Sequence, residues 1–350
     1  MTTGSIDLRS DTLTRPTEAM RRAMASAEVG DDTFKEDPTV LRLEARMAEL
    51  TGKEAVLFVP SGHMGNQLCL RALSQPGDSV VCHSFAHIVA YETGAMCALS
   101  GLQPFTIDSD DGTFTPEQVE RRLQRVDIHC PRNRVVAMEN THNRGGGTVW
   151  PMQRVCDVGR FARGRGLSVH MDGARLWNAC VATNTRPSDW LAEVDTVSMC
   201  FSKGLGAPVG SAIAGTKDLV ERARFFRKQF GGQMRQAGVL AAAALHGVEH
   251  HWPRMAEDHA NAKLLAGMIN EGGLLRCTPP QTNIVIAEVT APGVTAARVA
   301  AALAEHGVHV FAISDRQIRA VTHLDVSAEQ VRRAGEAFAR VGTVLQAEAG

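Results

Sequence analysis

Two segments of the sequence end in side chains that are suited to carbonyl chemistry. Lys203 follows the apolar run 197–201 and precedes a glycine, and Asp172 follows the apolar run 167–171. An amine at the rim of a buried strand can be partly desolvated, lose its proton near neutral pH and attack a carbonyl carbon. A single Ser-Lys-Gly segment is weak evidence, because most lysines after a strand are merely solvated charges. The acid at a second strand end strengthens the hypothesis of a reactive amine.

An amine paired with an acid is the combination that pyridoxal phosphate requires. This cofactor needs a lysine for its aldehyde and a carboxylate that keeps its pyridine nitrogen protonated. The segment 60–66 follows another apolar run and opens a helix-like stretch, so its backbone amides are suited to an anion such as a phosphate. The alternative for this segment is an ordinary strand-to-helix turn. It matches neither the dinucleotide nor the triphosphate glycine signature.

Four aromatic side chains near predicted strand ends are candidates for proton transfer or ring stacking. His83, His87 and Tyr91 fall at helical spacing, and His142 lies on the glycine-rich loop 139–147. A large polar residue on such a loop more often serves a site than packing, whereas each of the other three is, taken singly, more often core or surface. His83 and His87 have the spacing of a metal-binding pair. No glutamate accompanies them as in a His-Glu-x-x-His helix, so we expect no metal.

Arg319 is an arginine within a predicted strand of the C-terminal region, 317–321. A guanidinium in that position either pairs with a carboxylate of the protein or binds the carboxylate of an amino-acid substrate through two hydrogen bonds. The sequence favours neither alternative.

Composition excludes several classes of protein. The 350 residues carry a formal net charge of −1 and are 44% hydrophobic, so nothing indicates a nucleic-acid-binding surface. The apolar runs are too short to span a membrane, and the first residues show neither a basic nor an apolar segment of a secretory signal. The eight cysteines are scattered singly, which indicates a reducing cytoplasm rather than a disulfide framework.

The elements that position these side chains are predicted to form an α/β fold. Short apolar runs alternate with longer helical stretches, as in a mostly parallel sheet covered by helices on both faces. Ligands of such sheets bind at the carboxyl ends of the strands, where Ser61, Glu139, Asp172 and Lys203 all fall. The predicted strands are 55–59, 79–82, 104–107, 135–138, 167–171, 196–201 and 211–214.

The pattern changes after Trp252 and Pro253, and a smaller α+β domain is predicted there. We expect a large domain over residues 1–250, including an N-terminal arm, and a small C-terminal domain over residues 251–350. The helices and strands predicted in the small domain are helix 257–271, strand 283–287, helix 295–306, strands 308–313 and 317–321, and helix 327–345.

Taken together, these segments resemble the low-specificity L-threonine aldolase family, whose members are pyridoxal-phosphate lyases of the aspartate-aminotransferase fold (fold type I). The resemblance covers nearly the whole chain, and the number, order and spacing of its segments make it specific. The matching segments are 6–12, 29–32, 36–39, 139–143, 172–175, 202–211, 234–238 and 321–326.

The resemblance implies how the cofactor would be held. Lys203 would form the Schiff base, Asp172 would contact the pyridine nitrogen, and Arg175 would contact the ring hydroxyl. Two backbone amides at the start of the helix and the side chain of Arg235 from a neighbouring subunit would hold the phosphate. The cofactor-binding positions would be Gly62, His63, His87, Asp172, Arg175, Lys203 and Arg235.

It also implies the reaction, which is cleavage of threonine-like substrates to glycine and an aldehyde. His87 would stack over the cofactor ring, and either His87 or His142 would take the proton of the β-hydroxyl group. The substrate-binding positions would be Ser10, Phe34, Tyr91 and Arg319. The assembly implied is a homo-oligomer, a dimer of dimers with active sites at subunit interfaces.

Two positions depart from the family pattern, and two other functions stay open. His63 stands where threonine is usual and Phe34 where tyrosine is common, so a hydroxyl contact is lost at each. Another lyase of the same fold, which eliminates the β-substituent, would use the same lysine and acid. A non-enzymatic small-molecule-binding protein is the second alternative, and a protein that stays colourless with added pyridoxal phosphate would favour it.

Overall fold

The computed structural model describes residues 4–349. The first three residues, part of the N-terminal segment in which no secretory signal is predicted, lie outside the described residues. No helix in this range is both long and apolar enough to cross a membrane. The strands are β1 Ile6–Asp7, β2 Ala55–Val59, β3 Asp78–His83, β4 Gln103–Ile107, β5 Arg132–Glu139, β6 Ser168–Asp172, β7 Thr196–Cys200, β8 Ser211–Gly215, β9 Leu275–Cys277, β10 Ile284–Val289, β11 Val308–His309, β12 Phe311–Ala312 and β13 Gln317–Val321.

Fourteen α-helices connect or cover these strands within residues 4–349. They are α1 Glu18–Ala25, α2 Pro38–Thr51, α3 Gly62–Leu73, α4 His87–Ala90, α5 Ala95–Ser100, α6 Pro116–Glu120, α7 Met152–Gly164, α8 Leu176–Thr183, α9 Pro187–Trp190, α10 Lys217–Gln229, α11 Gly238–His246, α12 Met255–Glu271, α13 Ala296–Glu305 and α14 Ala328–Ala349. Short 3₁₀ segments lie at Asp11–Leu13 and Asp32–Phe34, and a π-helical turn lies at Gly247–His251.

A seven-stranded sheet forms the centre of the larger part of the molecule. Its strand order is β2-β8-β7-β6-β5-β3-β4, and β8 alone runs antiparallel to its neighbours. Every residue of β7 and β8 is buried, as expected for strands covered on both faces. The predicted α/β fold class is confirmed, and each predicted strand of this sheet lies within three residues of its observed bounds.

A smaller antiparallel sheet, β12-β13-β10-β9, lies in the C-terminal region. The predicted single strand 308–313 is wrong: β11 pairs with β1, whereas β12 pairs with β13. The chain therefore changes sheets within this run, and sequence periodicity contains no signal for such a change. The short strand β9 was not predicted.

The two largest of four hydrophobic clusters among the described residues accompany the seven-stranded sheet and the small antiparallel sheet. The first lies around the seven-stranded sheet and extends to Met255, and the second runs from Ala262 to Leu345 and includes Ile6 and Leu8 of the N-terminal arm. The domain boundary near residue 251 stays a prediction.

Helix α3 shows how the sequence brings a helix start against the sheet. The Ser61 hydroxyl caps the helix by accepting a hydrogen bond from the Met64 amide at 3.1 Å. A Cβ atom at Gly65 would lie 2.4 Å from the Ser198 hydroxyl of β7, so glycine allows the close approach. The α3 N-terminus is thereby fixed beside the carboxyl ends of the strands.

One predicted helical pattern and one predicted surface differ in the structure. Residues 83–91 do not form one helix, because His83 ends β3 and helix α4 contains a single turn. The basic residues 222–228 of α10 could, from the sequence, form only a solvated face, but Arg227 is fully buried and donates to Asp32 at 2.6 Å.

Candidate active site

The parallel strands deliver four candidate side chains to one edge of the seven-stranded sheet. His83, Glu139 and Asp172 end β3, β5 and β6, and Lys203 follows β7 by three residues. Glu139 and Asp172 are direct neighbours in the β5–β6 register. Ser61, the fourth member of the predicted grouping, follows the end of β2 by two residues, so all four predicted side chains follow or end strands of this sheet.

Lys203 lies within a cluster of polar groups rather than in an apolar pocket. Its Nζ donates to the Cys200 sulfur at 3.1 Å. Burial lowers the pKa of the Lys203 amine, but the Cys200 sulfur and the carboxylates of Asp11 and Asp172 raise it, and the net pKa lies above its ordinary value. These charges favour the protonated amine, which differs from the neutral amine expected from the sequence.

Asp172 is a buried carboxylate that stays ionised. Its Oδ2 accepts from the Asn66 amide at 2.7 Å, and its Oδ1 accepts from the Ala174 backbone amide at 3.0 Å. Burial raises the pKa of Asp172, but the positive charges of His87 and Lys203 and the Ala174 hydrogen bond outweigh it and lower the net pKa. A permanent negative charge here suits a protonated pyridine nitrogen.

Glu92 is a second buried carboxylate, and the sequence analysis did not identify it. It accepts from Asn66 at 2.8 Å, from Gln67 at 2.5 Å and from the His87 ring at 2.8 Å. His87, Glu92 and Asp172 present possible metal-ligand atoms within 4.8 Å of one another. These atoms are already engaged with amide and imidazole groups of the chain, and the absence of a metal stays a prediction.

His87 has one ring nitrogen engaged and one available. Since a carboxylate accepts hydrogen bonds only, the His87 Nδ1 carries the hydrogen shared with Glu92, and Nε2 of the neutral ring bears the lone pair. Burial lowers the pKa of His87, but the Glu92 hydrogen bond and the charge of Asp172 raise it above its usual range overall. The ring of Tyr91 lies 5.8 Å from the His87 ring.

Glu139 fixes the two loops that carry the site histidines. Its carboxylate accepts from the backbone amide of His87 at 2.6 Å and from that of Asn143 at 2.8 Å. Burial and the nearby charge of Asp172 raise the pKa of Glu139 to about 7. This carboxyl group therefore titrates near neutrality.

His142 is fully buried, and its environment selects one tautomer. Its Nδ1 accepts a hydrogen bond from the Gly145 amide at 3.0 Å, so Nε2 carries the hydrogen in the neutral ring. Within the described residues that Nε2 is buried without a hydrogen-bond partner. Burial lowers the pKa of His142 to about 4, and the ring is neutral at pH 7.

Arg175 is bound by an acid from the N-terminal arm. Its guanidinium donates to both carboxylate oxygens of Asp11, at 2.8 and 2.7 Å, and both side chains are buried. Asn283 donates to the same carboxylate at 3.3 Å. This bidentate pair holds Arg175 in one orientation.

Arg319 has no carboxylate partner within residues 4–349. It donates to the side-chain oxygen of Asn143 at 3.0 Å and to the backbone oxygen of Arg9 at 3.2 Å, and its Nε has no partner. Burial lowers the pKa of Arg319. Of the two alternatives left open by the sequence, the one with a protein carboxylate is therefore not realised within this chain.

The start of α3 offers an anion site next to the reactive groups. The Ser61 cap uses the Met64 amide and leaves the backbone amides of Gly62 and His63 at the helix end. The Ser211 hydroxyl is buried without a hydrogen-bond partner, and a Cβ atom at Gly62 would lie 3.4 Å from it. The His63 ring is half-exposed, with Nε2 at 3.9 Å from Glu92.

Of three further predicted residues, Arg235 and Phe34 have no contact with this cluster among the described residues, whereas Ser10 lies between Arg9 and Asp11, which bind Arg319 and Arg175. The Arg235 guanidinium is exposed and lies 3.5 Å from Asp31 and 3.3 Å from Thr33. Phe34 is exposed on the same loop. The Ser10 hydroxyl accepts from the backbone and the hydroxyl of Thr12, at 3.2 and 2.8 Å.

Several residues that organise the site were missed by sequence reasoning. Their signal is a polar residue in a segment that otherwise reads as buried, and such a signal does not name the partner. The missed residues are Asp11, Asn66, Glu92, Asn143 and His170.

Comparisons with known proteins agree with this geometry. The Beta-eliminating lyase family model matches residues 7–292. The low-specificity L-threonine aldolase 1 of Arabidopsis thaliana is 38% identical over 349 residues, which cover 98% of each chain. The low specificity L-threonine aldolase of Escherichia coli K12 is 40% identical over 331 residues, 93% of this chain and 96% of that relative.

The fold is shared with a solved threonine aldolase. The Leishmania major threonine aldolase structure superposes with a TM-score of 0.84 at 20% identity, over 96% of this chain and 99% of that one.

Proposed function

The chain belongs to the low-specificity L-threonine aldolase group of the beta-eliminating lyase family, and on that premise we propose that it cleaves L-threonine, L-allo-threonine and related β-hydroxy-α-amino acids. The products are glycine and an aldehyde, so the enzyme is a carbon–carbon lyase. One observation carries the proposal: Lys203, Asp172 and a His87 ring with an available nitrogen lie at one sheet edge.

The residues present fit pyridoxal phosphate as the cofactor. Lys203 supplies an amine and Asp172 an ionised carboxylate. The helix-end amides of Gly62 and His63, beside the orphaned Ser211 hydroxyl, suit the phosphate. The chemistry that this group supplies when bound is an electron sink for the pair left on Cα after bond cleavage.

His87 is the base that takes the proton of the β-hydroxyl group. The bond to Glu92 holds the hydrogen on Nδ1 and leaves the Nε2 lone pair for the substrate. The raised pKa makes this nitrogen a stronger base than a free imidazole.

His142 has a different role, which is to donate a hydrogen bond. Its Nδ1 is occupied by the Gly145 amide, so Nε2–H is the group that can meet the β-hydroxyl oxygen. A buried donor without a partner costs about 1–3 kcal/mol, and a bound hydroxyl group relieves that cost.

Arg319 binds the substrate carboxylate, with the hydroxyl of Ser10 as a second contact. Asn143 and Arg9 orient the guanidinium through neutral oxygen atoms, which leaves its positive charge for an anion. Tyr91 contributes an aromatic wall beside His87.

The finer assignments concern assembly and compartment. We propose a homo-oligomer, a dimer of dimers, in which Arg235 and Phe34 reach the phosphate and the substrate of a neighbouring subunit. The support is that both are exposed on adjoining segments apart from their own chain's site. Eight free cysteines support a reducing cytoplasm.

A second candidate is elimination of the β-substituent, which the name of the matching family favours. Product analysis separates the two: elimination gives a keto acid and ammonia, whereas aldol cleavage gives glycine and an aldehyde.

The test is to incubate the purified protein and pyridoxal phosphate with L-threonine, L-allo-threonine and phenylserine, and to quantify glycine. Stoichiometric glycine and aldehyde are expected. Ammonia with a keto acid would replace the proposal by the elimination reaction. A protein that neither turns over these substrates nor becomes coloured with the cofactor would contradict both.

A further inference from the structure

A single buried amide separates the two carboxylates behind the site. One hydrogen of the Asn66 Nδ2 group points to Asp172 at 2.7 Å and the other to Glu92 at 2.8 Å. Asn66 and Asp172 are 2% and 4% exposed, and Glu92 is fully buried. Both donors of the amide are therefore used by charged acceptors.

Chemistry fixes the orientation of this amide. If its oxygen faced Asp172 and Glu92, three acceptors would meet without a hydrogen between them. On its other side the Asn66 oxygen lies 3.1 Å from His170 Nε2, and His170 Nδ1 lies 3.0 Å from the Thr196 hydroxyl. His170 therefore donates to Asn66, and Thr196 donates to His170.

This chain of hydrogen bonds links the two functional acids. Possible metal-ligand atoms of His87, Glu92 and Asp172 lie within 4.8 Å of one another, so two negative charges stand close together in a buried space. Their repulsion would turn either carboxylate away from its position or favour its protonation. The two N–H groups of Asn66 counter that repulsion from a fixed point on α3.

We propose that Asn66 is a positioning residue for the cofactor, which holds Asp172 toward the pyridine nitrogen while it holds Glu92 behind His87. The inference deepens the proposed function and rests on it, because the pyridine nitrogen belongs to the proposed cofactor. It assigns His170 and Thr196 the supporting role of fixing the amide.

The neighbouring residue provides a matched control. Gln67 follows Asn66 on α3, is fully buried and donates to Glu92 at 2.5 Å, but among the described residues it forms no hydrogen bond with Asp172. Asn66→Leu and Gln67→Met each replace a buried amide by an apolar side chain of similar size. They differ in whether the acid at the cofactor ring loses a donor.

The experiment measures pyridoxal phosphate binding without any amino acid, by titration followed through absorbance and fluorescence. Asn66→Leu is expected to weaken binding by about 10- to 150-fold, the usual value of a hydrogen bond to a charged group. It should also reduce the visible band of the bound cofactor relative to the near-ultraviolet band. Gln67→Met should retain wild-type affinity and the wild-type spectrum.

Circular dichroism and thermal unfolding establish that the variants are folded. If Asn66→Leu does not fold, Asn66→Ser, which keeps one donor, is expected to fold and to show an intermediate loss of affinity. Wild-type affinity and spectrum in a folded Asn66 variant would overturn the inference, as would an equal loss in Gln67→Met. Failure of the wild-type chain to bind pyridoxal phosphate would instead overturn the proposed function.

Discussion

The seven-stranded sheet and the small sheet differ in how the buried charges beside them are paired. At the seven-stranded sheet, the carboxylates of Asp172 and Glu92 accept hydrogen bonds from amide and imidazole donors of the same chain. At the small sheet, the Arg319 guanidinium donates only to neutral oxygen atoms among the described residues, and it lies 5.8 Å from the centre of the Phe311 ring. The carboxylates at the seven-stranded sheet are therefore already hydrogen-bonded within the chain, whereas the positive charge of Arg319 at the small sheet has no carboxylate beside it within residues 4–349.

The difference separates groups that must be oriented in advance from groups that must capture a ligand. A buried charge costs free energy unless it is paired and hydrogen-bonded. The internal network keeps Asp172 ionised and holds the hydrogen of neutral His87 on Nδ1, whereas Arg319, which has no carboxylate partner among the described residues, gains most when a carboxylate binds. Each prediction below changes a residue beside one of the two sheets.

The largest effect is expected for Lys203→Ala, which removes the nucleophilic amine beside the seven-stranded sheet. Turnover should be abolished while the fold is retained, because covalent catalysis loses its nucleophile. Lys228→Ala, at an exposed position of α10, is the matched control. Borohydride reduction of the holoenzyme followed by peptide mapping should label Lys203, and a label on Lys53, Lys217 or Lys228 would contradict the assignment.

Replacing the base comes next. His87→Asn should slow cleavage by about 10²–10⁴-fold, the usual contribution of general base catalysis. Exchange of the glycine α-proton with solvent deuterium, measured by NMR, should be less affected because it involves no β-hydroxyl group. Equal loss of both activities would make the role of His87 structural, and near-wild-type cleavage would remove it from the chemistry.

The two sheets also show which parts of the fold the sequence predicts and which it does not. The strands of the large sheet are near-continuous apolar runs, so their existence and the position of Asp172 and Lys203 at their ends could be read directly. The division of 308–313 between two sheets could not, because it depends on which strand β11 and β12 meet.

The hydrogen-bond partners of the site residues could not be predicted from the sequence. Asp11 and Arg175 are separated by 164 residues, and Asn66 and Asp172 by 106. Sequence patterns report which side is buried, whereas these contacts depend on how distant segments meet. The sequence therefore identified groups that carry chemistry, and the structure supplied the groups that hold them.

At the small sheet, Arg319→Lys should weaken substrate binding, because an ammonium group cannot form the two-point contact with a carboxylate. The loss should be about 10- to 150-fold, seen as a raised threonine KM and a weaker affinity for glycine. Arg316→Lys is the control: Arg316 immediately precedes β13, the strand of Arg319, and it binds backbone oxygens of the 289–294 segment. Unchanged KM and glycine affinity would show that Arg319 serves only the protein.

His142→Asn should have a smaller effect than His87→Asn. A neutral donor contributes about 0.5–1.5 kcal/mol, so cleavage should slow by roughly 2- to 13-fold. Because the pKa of His142 is lowered to about 4, the pH profile above pH 5 should keep its shape. A loss as large as that of His87→Asn, with an altered profile, would make His142 the base instead.

The smallest change removes one charge, with a side chain of the same size, beside His87. His87 acts as a base only when neutral, so kcat/KM should rise with pH through its pKa, which Glu92 helps to hold above the usual value. Glu92→Gln removes that charge and should move the rising limb to lower pH, with a lower plateau because the base is weaker.

Ionisation of Glu139 would also change with pH, so its contribution must be separated from that of His87. Burial raises the pKa of Glu139 to about 7, so its ionisation would also produce a rising limb. If the limb belongs to His87, Glu92→Gln shifts it, whereas Glu139→Gln leaves a limb in place. If Glu139→Gln abolishes the limb and Glu92→Gln does not shift it, the titrating group is the carboxylate that fixes the two histidine loops. In that case the pH dependence reports the positioning of His87 and not its protonation.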